Sequence, residues 1–118
     1  MIKSFKDLEV YTLSYNLAMD IFRTSRGFPA DEKYSLTSQI VRSSRSICAN
    51  IAEGYGRKVY SAEFKKHLIY SLGSLEETKA WINFAVDCNY IDGSEFDQFQ
   101  LKTDEIGAKL FKLYSNWK

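Results

Sequence analysis

Residues 39–57, QIVRSSRSICANIAEGYGR, decide how the rest of the chain is read. Wound at about 100° per residue, Gln39, Arg42, Ser46, Asn50, Glu53 and Arg57 fall within an arc of about 80°. Leu36, Ile40, Ile47 and Ile51 form an apolar stripe beside it, and the small residues Ser43, Ser46, Ala49, Ala52 and Gly54 lie between the two. An ordinary surface helix buries one face and turns Lys and Glu outward. An apolar stripe and a Ser/Asn/Gln-containing stripe separated by small residues predict a helix covered on two sides. Association is therefore the first function to consider.

Working outward, this helix starts between Asp31 and Ser35, where Asp31 and Glu32 suit its positive end, and stops at the Gly54/Gly56 pair near Tyr55. Before it, a helix from about Asp7 to Arg26 repeats Leu8, Tyr11, Tyr15, Ala18 and Phe22 at spacings of three and four, and Gly27 and Pro29 end it. After it, Ser61 reads as the N-cap of a third helix reaching about Asn89, with a core stripe of Phe64, Leu68, Leu72 or Ser71, Leu75, Ile82 and Ala85. Asp92 and Glu95 make a capping box that opens a fourth. There Phe96, Phe99, Thr103, Ile106, Leu110, Leu113 and Trp117 keep an unbroken three-four repeat. Nothing reads as a strand pair. Connections of about four to seven residues favour antiparallel neighbours. The expected fold is all-α, an antiparallel up-down-up-down four-helix bundle forming one domain over residues 1–118.

At 118 residues, with 45% hydrophobic and 15% aromatic content, the chain has material for one core. A net charge of +1 gives no overall bias toward polyanions or membranes. Met1–Asp7 is polar with no apolar run behind it, so no secretory leader is expected, and no stretch approaches the roughly 18 apolar residues of a membrane span. Cys48 and Cys88 lie in helix-patterned segments and read as reduced, half-buried thiols, which fits a cytoplasmic protein.

No catalytic constellation emerges. His67 is the only histidine, so no multi-histidine metal site can be built within one chain, and no His-based triad is read around it. Glu63 and His67, four apart, read as a surface pair. Gly54–Tyr55–Gly56–Arg57 lacks the strand and the Gly-Lys-Ser/Thr of a phosphate loop. Glu53 and Arg57 are spaced for a salt bridge, and the adjacent Glu76 and Glu77 diverge around the helix. No cofactor and no metal is expected, and the chain reads as non-enzymatic.

Charge is unevenly placed. Between Ile40 and Tyr70 six basic residues (Arg42, Arg45, Arg57, Lys58, Lys65 and Lys66) face only two acidic ones, and the rest of the chain is net acidic. The Arg57–Ser61 turn should gather Arg57, Lys58, Lys65 and Lys66 at one end of the bundle, with Tyr55 and Tyr60 available for base stacking. This is either a solvated rim or a surface for phosphates. The polar stripe of Gln39, Arg42, Ser46, Asn50, Glu53 and Arg57 is expected to be buried and structural. Each buried group then needs a partner, and Arg42 would find its acceptor on another helix or another subunit.

At these residues the sequence resembles the four-helix bundle proteins of intervening sequences in bacterial 23S ribosomal RNA genes. The resemblance is carried by Phe5 and Leu8, then by Phe28, Pro29 and Glu32. It continues through Leu36, Thr37, Gln39, Ile40 and Arg42, and through Ser46, Ile47, Asn50, Ile51, Ala52, Glu53, Gly54 and Arg57. Glu63 and Phe64, with Gly73, Ser74, Leu75 and Glu77, complete it. It spans most of residues 5–91, and the fourth helix matches in character only. The resemblance implies a cytoplasmic bacterial protein assembled as a homopentamer. The similar accessory protein of diversity-generating retroelements forms a basic pentameric barrel that binds nucleic acid and its reverse transcriptase. The leading expectation is an oligomeric module presenting a basic surface to RNA, single-stranded nucleic acid or a nucleoprotein partner. The alternative is a protein-binding scaffold or regulator without nucleic-acid contact.

Overall fold

The computed structural model describes residues 1–118. Four helices follow in order: α1 Glu9–Ser25, α2 Leu36–Gly56, α3 Ser61–Asp87 and α4 Gly93–Asn116, with short 3-10 turns at Phe5–Asp7 and Ala30–Glu32. There are no strands. The long dimension of 44 Å matches helices of 21 to 27 residues at about 1.5 Å per residue.

The helix ends are set by local chemistry. Asp92 accepts from the Glu95 N–H at 2.8 Å, while Glu95 accepts from the Asp92 N–H at 3.1 Å, so both halves of the expected capping box form. Glu32 accepts from the Leu36 N–H and from the Ser35 hydroxyl, which caps α2 from the turn before it. The segment 26–35 is longer than the four to seven residues expected, because it accommodates that extra turn. Ser61 is not the N-cap of α3. Tyr60 holds the extended cap conformation with no side-chain bond, and Ser61 is already helical. Asn89, at φ 64, takes the left-handed conformation that ends α3, and the Tyr90 N–H returns to the Ala85 carbonyl at 2.8 Å.

The bonds between helices fix the topology. Along α3, His67, Ser71, Ser74 and Thr78 meet Asn50, Ile47, Ser46 and Ser43 in turn, so partner numbers fall as α3 advances. Lys102 and Lys109 of α4 likewise reach Asp20 and Glu9 of α1. Each helix packs on its sequence neighbours and α1 packs on α4, with no close backbone approach between the diagonal pairs. This is the antiparallel up-down-up-down bundle.

Phe64, Leu17, Ile21, Ile47, Ile51, Leu68, Leu75, Ile106 and Leu110 make the centre of the core. In α4 the expected stripe is buried at Phe99, Thr103, Ile106 and Leu110 and half-buried toward both ends. In α3 Ser71 is the buried alternative and Leu72 is half-buried. The stripe expected for α1 is rotated. Val10, Ser14, Leu17, Ala18, Ile21 and Ser25 face the core, whereas Tyr11 and Phe22 are half-buried and Tyr15 is exposed. Two overlapping arcs of α1 both keep three-four spacing, and the arc with buried hydroxyls is the inner one. Ser25 Oγ donates to the Phe22 carbonyl, but Ser14 Oγ is the one buried side-chain oxygen or nitrogen without a partner.

Candidate interaction surface

The α2–α3 seam is rich in hydroxyls because small side chains let the two backbones approach. Ser71 donates to the Ile47 carbonyl across the seam. Thr78 donates to Ser43 Oγ at 2.9 Å and Ser74 to Ser46 Oγ at 3.0 Å. Asn50 Nδ2 donates to the Ser46 carbonyl at 2.9 Å, leaving its Oδ1 to accept from His67 Nδ1 at 3.1 Å. That assignment places the imidazole proton on Nδ1. His67 is buried, and its Nε2 lies 3.8 Å from Glu53 Oε2. Gly54 completes the pocket, since a Cβ there would stand 2.5 Å from the Cβ of His67. Asn50 and Gly54 of the quoted stretch therefore both serve one residue of α3.

This corrects the expectation for His67 and shows how far the chain itself covers the polar stripe. His67 does not pair with Glu63 on the surface, because its position on α3 turns it into the seam. Within the chain the polar stripe is only partly covered: Ser46 and Asn50 are half-buried, while Gln39, Arg42, Glu53 and Arg57 are exposed, because α3 covers only the inner edge of the arc. Arg42 meets no acceptor within the chain. The cysteines also differ from each other. Burial pushes the Cys48 thiol up to about 12, whereas Cys88, at the cap of α3, is exposed.

The six cations do not form one free patch. Arg57 bridges Glu53 at 3.1 Å and Glu63 at 3.5 Å, and Lys66 pairs with Glu63 at 3.1 Å. Lys66, and then Arg57, hold the Glu63 carboxyl below its ordinary range. Lys65 lies over the Tyr114 ring at 4.6 Å, on the α4 side, and Lys58 over Tyr55 at 3.8 Å. Tyr55 is buried edge-on to Phe64, so it belongs to the core and offers no free face for a base. Tyr60 is exposed. Arg42 and Arg45 are exposed without carboxylate partners, and Arg45 Cζ sits 5.3 Å from the Phe22 ring centre.

Two concavities went unforeseen. One, of about 300 Å³, runs between α1 and α2, lined by Phe5, Tyr11, Tyr15, Met19, Arg45 and small residues including Ala49 and Ala52. The other, of about 530 Å³, lies between α1 and α4 over Leu17 and Ile106, and Lys102 bridges it to Asp20 at 2.7 Å. Arg26, whose Cζ also stacks on Phe22 at 5.6 Å, was missed as well. Its four-residue spacing from Phe22 was the available signal. No group of three or more His, Cys, Asp or Glu is placed to hold a metal ion, and no helix is long and apolar enough to cross a membrane.

Antiparallel helices in ring order, joined by a hydroxyl seam around one buried histidine, define a small all-helical bundle protein. The chain belongs to the 23S rRNA-intervening sequence protein family, whose pattern matches residues 6–112. It is similar to a crystal structure from Bacteroides thetaiotaomicron, a protein of unknown function from the S23 ribosomal protein family. The two are 25% identical with a TM-score of 0.82, covering 91% of this chain and 96% of that one. No curated protein matches the chain.

Proposed function

We propose that this protein is a non-enzymatic, cytoplasmic module that assembles with copies of itself, as a homopentamer, and presents a basic surface to RNA or a nucleoprotein partner. The observation that carries this reading is the distribution of ion pairs. Outside the basic run Lys79, Lys102 and Lys109 are held by carboxylates, whereas Arg26, Lys33 and Lys112 are not. Arg42, Arg45, Lys58 and Lys65 have no carboxylate partner and remain available to phosphates. The pentamer comes from the family resemblance, and exposed apolar side chains on α3 and α4 support self-association.

The test is sedimentation at low micromolar concentration, followed by fluorescence anisotropy with labelled RNA at about 50 mM salt, where phosphate contacts are strongest. An oligomer that binds RNA with affinity falling steeply as salt rises is the expected result. A second reading, a protein-binding scaffold without nucleic-acid contact, draws on Arg57 and Lys66 being ion-paired within the chain. An oligomer with no RNA affinity at low salt decides for it.

A further inference from the structure

We propose that the α1/α2 face carries a single-stranded nucleic-acid site, in which Arg26 and Arg45, both stacked on Phe22, grip backbone phosphates and the adjoining aromatic groove takes a base. The proposal rests on the nucleic-acid reading above and assigns it to a place that includes residues outside the basic run of α2 and α3.

Arg26 Cζ lies 5.6 Å and Arg45 Cζ 5.3 Å from the same ring centre, so the two guanidinium groups can be no further apart than those distances together. One comes from the end of α1 and the other from the middle of α2. The ring is half-buried and anchors both. Neither arginine has a carboxylate. Asp20, two residues before Phe22, faces α4 instead, where it is occupied by Arg23 at 3.2 Å and by Lys102 at 2.7 Å. A guanidinium held against a ring is positioned before its ligand arrives, and its N–H fork matches two phosphate oxygens.

Arg45 also lines the groove of about 300 Å³ that Tyr11 and Tyr15 wall, with Ala49 and Ala52 beside them. The small alanines leave room for a flat group, and the tyrosines offer it aromatic surface. A charged grip continuous with an aromatic slot is what an unpaired nucleotide needs: the phosphate finds the arginines and the exposed base finds a stacking partner. A duplex keeps its bases stacked inside and can use only the arginines. An acidic peptide satisfies the arginines but brings no planar ring for the slot.

Anisotropy of a labelled single strand of about 20 nucleotides tests this, starting at about 50 mM salt. Replacing both arginines, Arg26→Ala with Arg45→Ala, is expected to weaken binding about tenfold or more and to reduce the slope of log affinity against log salt by about two. Tyr15→Ala should weaken the single strand severalfold and leave duplex binding unchanged. Arg57→Ala should stay within about twofold of wild type, because that residue is tied to Glu53 and Glu63. These side chains are exposed, and unchanged circular dichroism and sedimentation will show that the variants fold and assemble. If the wild type binds nothing at low salt, the nucleic-acid function itself is lost, and this site with it. If the wild type binds and the double arginine variant keeps its affinity and slope, only the site is wrong. Polyglutamate competing as well as an oligonucleotide also overturns it, in favour of an acidic protein partner.

Discussion

At the scale of single residues, Asn50 shows how a polar position inside a helix earns its place. Its two amide groups are divided, nitrogen to the Ser46 carbonyl and oxygen to the buried His67. Asn50→Leu strands the imidazole N–H, and an unsatisfied buried donor costs about 1–3 kcal/mol. The expected result is a lower melting midpoint with native helical content, even in a protein that assembles normally. An unchanged midpoint would mean that water replaces the asparagine. Tyr90 and Glu32 make a second pair, joining the α3–α4 turn to the segment before α2 at 2.8 Å. Hydrogen bonds from Ser35 first, then from Tyr90 and the Leu36 N–H, hold Glu32 below its ordinary range, and the same contact pushes the Tyr90 phenol up to about 12. A depressed carboxyl stabilises the fold above its unfolded pKa and loses that contribution as pH falls through the folded one. A raised phenol contributes below its unfolded pKa and loses that as pH rises through about 12. Tyr90→Phe should move Glu32 upward without restoring it fully, since Ser35 remains, and should flatten the loss of stability in acid. Carbon-detected NMR titration of Glu32 measures the first effect, and urea melts at neutral and acid pH the second.

At the scale of elements, two glycines inside helices are expected to respond in opposite directions to alanine. Glycine in a helix costs about 1 kcal/mol relative to alanine wherever the methyl has room. At Gly73 nothing lies within 4 Å of an added Cβ, so Gly73→Ala should raise the melting temperature by a few degrees. At Gly54 the added carbon meets His67 Cβ at 2.5 Å and Phe64 Cδ1 at 3.0 Å. Neither is the loose end of a side chain, and overpacking of about 1–3 kcal/mol outweighs the propensity gain. Gly54→Ala should therefore melt lower; a higher midpoint would show that α2 and α3 separate easily. These elements also show where the sequence was readable. The apolar stripe of α2, the Asp92–Glu95 box and the Glu53–Arg57 pair are features of local spacing, and the structure has them all. The inner face of α1 was not readable, because buried Ser14 and Ser25 resemble outward residues while Tyr15 resembles an inward one. The seat of His67 was hidden for another reason: its partner lies 17 residues away on another helix, beyond any periodicity. The basic run was legible as a count, but which cations are neutralised depends on Glu53 and Glu63 in three dimensions.

At the scale of the whole molecule, the bundle leaves apolar surface that its own core does not use. Ile69, Tyr70 and Phe84 on α3 are 46%, 51% and 56% exposed, and Leu101 and Phe111 on α4 are 72% and 62% exposed. The α4 pair stands among Asp97, Asp104 and Glu105, while Lys102 and Lys109 are drawn away to α1. Lys112 lies on the same arc and Lys79 reaches Asp104 at 3.7 Å, so that face is apolar with charges of both signs around it. Scattered exposed hydrophobes need no explanation, but several large ones on adjacent helices offer a surface on which another protein could be tested. If copies of this chain cover it, Leu101→Glu with Phe111→Glu should dissociate the oligomer by burying charge at the contact, without loss of helix, because neither residue supports the core. Sedimentation across the micromolar range gives the answer. A wild-type oligomer reduced to a species near the chain mass of 13.7 kDa places the contact on α4. An oligomer that survives both substitutions moves the contact to α3 or the α1/α2 face, and a wild type already at chain mass leaves the exposed side chains to a different protein.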